Sequence, residues 1–375
     1  MKLAFTIFRY FPYGGLQLDF SRFLKAGIRR GHSVTVFYGR WDGEFIPGAE
    51  YVQVSARGFT NWGRALDFEK NAAAELTRGQ FDRVVGFNRM RGLDYYYAAD
   101  NCFAEQSEKK HPLSSRLFPR YRVFRRMEKS VFGEGGKTVI LYLTEAQKAV
   151  FRQVYGTEEA RFRYLPPGVA PEFRLRPDSE TQTLRRKFRE EFKIAENEVF
   201  LVQVCSAFTT KGVDLVLDAL AALPETVRCR IKYVVAGNET PGFRRRAEQR
   251  GVSDRVIFAG PRKDIPELLS AADLMVHPAR NEATGTVLAE AAVCGLPVIC
   301  SENCGYAPLV KDAGGVVLPE NCGSPAVRDA LELTLTLPDA PERLRTAARE
   351  YAGKVDFYHR TECFWDHIEE KSAHA

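Results

Sequence analysis

The densest concentration of chemistry in the chain is the stretch His277-Pro278-Ala279-Arg280-Asn281-Glu282-Ala283-Thr284-Gly285-Thr286-Val287-Leu288-Ala289-Glu290-Ala291. Two carboxylates, Glu282 and Glu290, flank an insert of small residues in an E-x7-E pattern. The apolar run Leu274 to Val276 ahead of it reads as a strand, and the segment behind it reads as a helix with Gly295-Leu296-Pro297 beyond its end. Glu282 then falls in the loop, and Glu290 about two turns into the helix. A loop carboxylate can accept hydrogen bonds from sugar hydroxyls, and one on the helix can hold a ribose diol, as acidic residues do in dinucleotide sites. Between them, the backbone N–H groups of Ala283 to Thr286 at the helix start form a cradle for an anion. Exposed helical glutamates are common, but this spacing around a Gly-containing insert is hard to reduce to a solvated face.

Two further segments follow predicted strands. Ser206-Ala207-Phe208-Thr209-Thr210-Lys211-Gly212 places a lysine at the entry of a helix, where its charge can neutralise a pyrophosphate as a leaving group departs. Position alone leaves open a solvated loop lysine instead. Gly14-Gly15 opens the first helix and lets backbone approach an anion, although a plain strand-to-helix turn explains it equally well. No G-x-G-x-x-G occurs, which argues against a nicotinamide or flavin enzyme. No D-x-D occurs either, so a carboxylate-bound divalent cation is not indicated. Among the histidines, His277 is read as structural.

These segments need strands to position them. Lys2 to Phe8, Val34 to Tyr38, Val84 to Phe87 and Val139 to Leu143 are short apolar runs separated by helical or irregular stretches. Thr144 with Gln147 fits a capping box. Composition then shifts to Pro and charge from Leu165 through Pro177. Alternation restarts at Val199 to Val204 and continues through Ile231 to Ala236, Val256 to Phe258, Val298 to Cys300 and Gly315 to Leu318. The pattern predicts an α/β chain of two Rossmann-like, doubly wound domains facing a cleft. The expected organisation is 1–165, a linker at 166–178, a second domain at 179–350, and a C-terminal helix over 351–375.

The chain has 375 residues, a net charge of +6 and eight cysteines with no CxxC pair. Length suits two domains. The cysteines read as reduced thiols and no His/Cys cluster has zinc spacing, so a cytoplasmic address is expected. No apolar run is long enough to span a bilayer and the N-terminus does not read as a signal peptide.

Together, the E-x7-E segment, Lys211-Gly212, Gly14-Gly15 and Gly31-His32 resemble the retaining glycosyltransferases of the GT-B fold. Tyr10-Phe11-Pro12-Tyr13-Gly14-Gly15-Leu16-Gln17, Arg83 to Asn88, Ala98-Ala99-Asp100 and Leu165-Pro166-Pro167-Gly168 look like the bacterial lipopolysaccharide core glucosyltransferases that act on the first heptose. The likeness runs from the N-terminus to about Gly315, and it implies that the C-terminal helix over 351–375 crosses back to the first domain, as the family's final helix does. It implies UDP-glucose as donor substrate, no other cofactor and no metal, with a lipid A-core acceptor. By the same resemblance Gly15 and Lys211 bind the donor diphosphate, and Glu290 binds the ribose. Glu282 with the backbone of Ala283, Thr284, Gly285 and Thr286 binds the sugar, and Arg262 lies near the base. Asp19 and Asp100 face the acceptor, and Glu282, Lys211 and Asp100 carry the catalytic roles. One departure is that the superfamily's usual arginine, five residues before the motif lysine, is Ser206 here. The alternatives are a different surface glycolipid acceptor, a GT-B-shaped sugar-nucleotide epimerase, or a membrane-binding module gated by nucleotide sugar.

Lys109, Lys110, Arg116, Arg120, Arg122, Arg125, Arg126 and Lys129 cluster between Lys109 and Phe132, opposed there only by Glu128. Leu117, Phe118, Tyr121, Phe124, Val131 and Phe132 are interleaved. The combination suits a helix lying on an anionic membrane surface, which implies peripheral association with the inner face of the cytoplasmic membrane. A solvated charged helix is the plain alternative. Nucleic acid is not expected, since no recognised binding motif accompanies the charge.

Overall fold

The computed structural model describes residues 1–12, 14–110 and 115–370 of the chain. Tyr13, which belongs to the turn read after the first strand, lies outside the described residues, as do 111–114 of the basic stretch and 371–375. The chain divides into two compact units, Met1–Pro166 with His359–Ala375, and Pro167–Tyr358.

The first unit holds a seven-stranded parallel sheet in the order β3-β2-β1-β4-β5-β6-β7. Its strands are β1 (Lys2–Tyr10), β2 (Ser33–Trp41), β3 (Glu50–Gln53), β4 (Arg83–Gly86), β5 (Tyr95–Ala98), β6 (Val139–Tyr142) and β7 (Phe162–Tyr164). The second unit holds a six-stranded parallel sheet, β10-β9-β8-β11-β12-β13. Those strands are β8 (Val199–Val204), β9 (Ile231–Ala236), β10 (Val256–Gly260), β11 (Leu274–His277), β12 (Val298–Ser301) and β13 (Val316–Leu318). Both orders double back after the third strand, as in the doubly wound Rossmann arrangement, which is the α/β architecture expected. The switch points lie between β1 and β4 and between β8 and β11. Ligands of such sheets bind beyond the carboxyl ends of the strands at these places, because the flanking loops diverge there.

The strands are apolar runs because helices cover both faces of each sheet. Phe200, Leu201 and Val202 are all fully buried, as are Tyr233, Val234 and Val235. The helices that matter below are α1 (Gly15–Arg29), α2 (Asn61–Gly79), α3 (Phe103–Lys110), α4 (Pro119–Phe132), α5 (Glu145–Tyr155), α6 (Asp178–Glu191) and α7 (Val213–Ala222). Thr144 caps α5 by accepting the Gln147 N–H at 3.2 Å, and Gly31 takes the left-handed conformation beyond α1. Residues 167–178, the Pro-rich stretch, pack with the second unit. There the Val169 N–H donates to the Phe357 carbonyl at 3.0 Å and Phe173 joins the core. All eight cysteines are free, and four of them are buried.

The helix Arg360–Glu369 packs into the first unit against α1. Phe364 stacks on Phe23 at 4.0 Å, and Trp365 lies parallel to Phe5 at 6.1 Å. The indole N–H donates to the Phe23 carbonyl at 3.1 Å. Gly27 makes this approach possible, since a Cβ there would sit 2.3 Å from the Trp365 ring. Arg360, 3% exposed at its side chain, donates to Asp19 at 2.8 Å and to the Pro166 carbonyl at 2.7 Å. The Tyr97 hydroxyl donates to the same Asp19 carboxylate at 2.5 Å. Asp19, expected to face the acceptor, is a buried carboxylate whose Oδ2 meets Arg360 and Tyr97 and whose Oδ1 meets Arg22 at 3.2 Å.

Removing the indole opens a cavity and strands the Phe23 carbonyl. Trp365→Ala is therefore expected to destabilise the first unit by about 3–5 kcal/mol, read as a shift of the denaturant midpoint followed by near-UV circular dichroism.

Candidate functional site

The site in the second unit is built at the β8/β11 switch point. β8 ends at Val204, and the chain turns through 206–212 into α7. Ala207 adopts φ +58° and Gly212 φ +74°. At Gly212 a Cβ would lie 2.2 Å from the Pro278 carbonyl oxygen, so only glycine lets this turn press against the loop leaving β11. Arg280 stitches the two loops together. Its backbone N–H donates to the Thr210 carbonyl at 2.9 Å, and its guanidinium grips Asp214 with two bonds of 2.7 Å. From the buried end, the Gln203 amide donates to the Lys211 carbonyl at 2.7 Å, and the Tyr233 hydroxyl donates to Gln203.

The result is a direct pairing of two of the expected residues. The Lys211 ammonium donates to Glu282 Oε2 at 2.5 Å and to the Asn281 carbonyl at 3.3 Å. His277 Nε2 lies 3.4 Å from the same Glu282 oxygen. Burial alone would raise the Glu282 pKa, but the His277 hydrogen bond and the Lys211 charge outweigh it and hold the carboxyl at about 2. The loop is fixed from behind: the Gly305 N–H donates to the Glu282 carbonyl at 3.2 Å and the Tyr306 N–H to the Thr284 carbonyl at 2.8 Å.

Ala283 to Gly285 lead into the helix Thr286–Val293, whose N-cap is Gly285 at φ +85°. It has no side-chain cap and no acidic residue in its first turn. A backbone-lined, positively polarised helix start thus follows directly on Glu282. Glu290 lies one turn further along that helix, half-buried. Lys211, Glu282 and the 283–286 backbone are therefore brought together, with Glu290 on the helix they introduce.

Arg262 is placed differently. Its guanidinium is engaged by Asp264 at 2.7 Å and Glu191 at 2.6 Å and lies over the Phe188 and Phe192 rings. The side chain clamps α6 to the turn after β10. No group of three His, Cys, Asp or Glu among the described residues is arranged to hold a metal.

In the first unit, Gly15 begins α1 at the β1/β4 switch point, and this helix start also lacks a side-chain cap and first-turn acids. Asp100 follows β5 and is exposed. Its backbone carbonyl accepts from Arg89 at 3.3 Å and from the Gln147 amide at 2.8 Å.

Among the described residues, the basic stretch forms α3, a single 3-10 turn over Ser115–Leu117, and α4. Lys110, Arg120, Arg122, Arg125 and Lys129 are exposed. Lys109, Arg116 and Arg126 are exposed but paired with Glu105, Glu108 and Glu69 respectively. Glu128 is fully buried, so it does not oppose the basic face as the sequence suggested. The interleaved apolar residues also divide. Tyr121, Val131 and Phe132 are buried, whereas Leu117 and Phe118 are 80% and 56% exposed. No helix among the described residues is long and apolar enough to cross a membrane.

Sequence reading missed what joins the loops, namely Arg280 with Asp214 and Gln203 with Tyr233. Gln203 carried a signal, being a polar residue in an otherwise apolar buried strand. It also gave His277 no part in the site.

The class follows from comparison. Residues 185–351 match the family described as glycosyl transferases group 1, enzymes that move a glycosyl group. The chain is 40% identical over 362 residues, 96% of both chains, to the lipopolysaccharide glucosyltransferase WaaG of Escherichia coli (strain K12). A crystal structure of WaaG, a glycosyltransferase involved in lipopolysaccharide biosynthesis, aligns with a TM-score of 0.91 at 38% identity, covering 98% of this chain and 100% of that one. Anabaena HepE, crystallised with UDP and glucose, aligns at 0.73 and 20% identity over 98% of this chain and 99% of that one, a likeness of fold alone. The chain belongs to the WaaG family of GT-B-fold glycosyltransferases.

Because the Glu282 carboxyl is held below the 4.5 of a free glutamate, its ionic contribution to stability is fully present above pH 4.5 and lost as pH falls through about 2. The stability difference between the native chain and Glu282→Gln, measured by urea unfolding, should be constant above pH 5 and shrink steadily from pH 4.5 downward.

Proposed function

We propose that the chain transfers glucose from UDP-glucose to the first heptose of the lipopolysaccharide core, with retention at the anomeric carbon and without a metal ion. The observation that carries the reading is the Lys211–Glu282 contact of 2.5 Å beside an uncapped helix start, in a chain 40% identical to the lipopolysaccharide glucosyltransferase of Escherichia coli. Lys211 supplies a cation for the donor diphosphate, and the N–H groups of Ala283 to Thr286 supply preorganised dipoles. Glu282, ionised throughout the physiological range, accepts hydrogen bonds from the glucose hydroxyls. Glu290 serves the ribose, Gly15 adds a backbone donor to the diphosphate, and Asp100 serves the acceptor.

In the reaction, the bond between the anomeric carbon and the diphosphate oxygen breaks, and the acceptor oxygen forms its bond on the same face. The acceptor proton passes to the departing phosphate oxygen. Lys211 offsets the charge developing there, where one lost donor costs on the order of 10²–10³ in turnover. Glu282 is not assigned as a nucleophile, since its carboxylate is already shared between Lys211 and His277.

The decisive assay is UDP release from a panel of UDP-sugars with delipidated core acceptor in EDTA. Glucose transfer is expected to survive EDTA and to fall at least about 100-fold in Glu282→Ala and Lys211→Ala. Dependence on added divalent cation would sink the metal-free mechanism. Turnover of donor without acceptor would point to the epimerase, and transfer only to another glycolipid would reassign the acceptor.

The basic surface of α4, with Leu117 and Phe118 projecting beside it, supports peripheral docking to an anionic membrane on the cytoplasmic side, where a lipid-linked acceptor is reached. Each exposed Lys or Arg contributes on the order of 1 kcal/mol near such a surface. Vesicle sedimentation should rise with the fraction of anionic lipid and fall in Arg120→Glu/Arg122→Glu. Equal binding to neutral vesicles would count against it.

A further inference from the structure

Glu128 sits on the inner side of α4 with 0% exposure, yet five groups converge on its carboxylate. Arg89 pairs with Oε1 at 3.0 Å. The Phe103 and Ala104 N–H groups, the first of α3, donate at 2.8 and 3.0 Å. The Tyr155 hydroxyl of α5 donates at 2.6 Å and the Cys102 thiol at 3.5 Å. Both donors stay protonated: burial first and the Glu128 charge next push the Cys102 thiol up to about 12, and the same two causes push Tyr155 up further. Burial pulls the Arg89 pKa down, but the Tyr96 phenol and the Glu128 and Asp100 charges outweigh it, so the guanidinium stays charged.

Arg89 passes this anchorage on. Its Nη2 donates to the Asp100 carbonyl at 3.3 Å and to the Asn101 carbonyl at 2.7 Å. The loop bearing Asp100 is thus held at its carbonyls by Arg89, and at the N–H groups just beyond by Glu128. A buried ion pair is seldom worth more to stability than the apolar residues that could replace it. What this one supplies is position, with both halves of the pair spent on the backbone of residues 100–104.

We infer that Glu128 and Arg89 are positioning residues for Asp100, fixing its loop so that the carboxylate meets the acceptor, an inference that rests on the acceptor role proposed above for Asp100. The same helix α4 carries the exposed Arg122, Arg125 and Lys129, so the element proposed to meet the lipid surface also sets the geometry of this loop.

The test is turnover with delipidated core acceptor, expressed per UDP-binding site counted by calorimetric titration of UDP, in variants whose near-UV circular dichroism matches that of the native chain. Glu128→Gln and Arg89→Met are compared with Glu69→Gln. Glu69 is likewise buried, but it pairs with Arg126 of α4 at 2.9 Å and with Arg91 at 3.4 Å. Turnover per site is expected to fall about 10- to 100-fold in Glu128→Gln and Arg89→Met, with the Kd for UDP unchanged and Glu69→Gln near the native rate. Arg89→Met removes the buried cation together with its carbonyl contacts, so it reports even where Glu128→Gln does not fold. Native turnover per site in either folded variant, or an equal loss in Glu69→Gln, would overturn the inference while Asp100→Asn still abolished transfer. Native turnover in Asp100→Asn would overturn the acceptor role of Asp100 and the inference with it.

Discussion

The site depends on one steric constraint, the absence of a side chain at Gly212. With φ at +74° and the Pro278 carbonyl 2.2 Å from where a Cβ would stand, any other residue would force the two loops apart. Because they touch, Arg280 can bond back to Thr210 and to Asp214, and Lys211 can reach Glu282 at 2.5 Å. Lysine in a freely solvated turn would sample many rotamers, and fixing it would cost up to about 2 kcal/mol of side-chain entropy. Here that ordering is enforced by backbone contacts made before any ligand arrives. Preorganisation of this kind makes a cation effective against charge that develops only during reaction.

Electrostatics sharpens the same point. An ammonium and a carboxylate with side-chain exposures of 19% and 17% lose part of their hydration, and each compensates the other. His277, 1% exposed, adds a third contact to the carboxylate from the end of β11. The cluster therefore carries no large uncompensated charge in the free protein. A diphosphate near Lys211 would find the cation already ordered rather than having to recruit it. On the proposed reading, Ser206 at the position where the superfamily usually has arginine leaves that duty to Lys211 and to backbone N–H groups.

Most of the sheet framework was legible because buried parallel strands are continuous apolar runs. Val199–Val204 and Ile231–Ala236 fall where hydrophobicity put them. β3, β5 and β7 escaped because polar or tyrosine side chains stand where equally short strands such as β6 carry an aliphatic run. β5 is three tyrosines and an alanine, a run whose polar tips hide its burial. Spacing singled out Lys211 and Glu282, which the structure brings into contact, and Glu290 on the helix that follows, because strand ends at a switch point are where ligands of such sheets bind. What buries Asp19 was not legible, because Arg360 is 341 positions away and no local pattern announces it. The basic stretch hid its division in a related way. Composition counts Glu128 and Phe132 with their neighbours, whereas helical periodicity turns both inward while Arg122 and Lys129 stay outside.

These carboxylates separate by what their partners leave over. Asp19 and Arg360 are 7% and 3% exposed at their side chains; Arg360 and Tyr97 both meet Asp19 Oδ2, and Arg22 meets Oδ1 at 3.2 Å, so both carboxylate oxygens are engaged by protein. Glu128 is spent likewise, every contact going to protein. Glu282 differs in geometry rather than in residue type. Lys211 and His277 both meet Oε2, while its loop opens directly onto an uncapped helix start. Asp100 differs again, being exposed while the bonds that fix it run through its backbone carbonyl. On the proposed reading, a carboxylate of this chain meets a substrate where the forces that hold it act on its backbone or on one oxygen only, and it holds structure where they consume both.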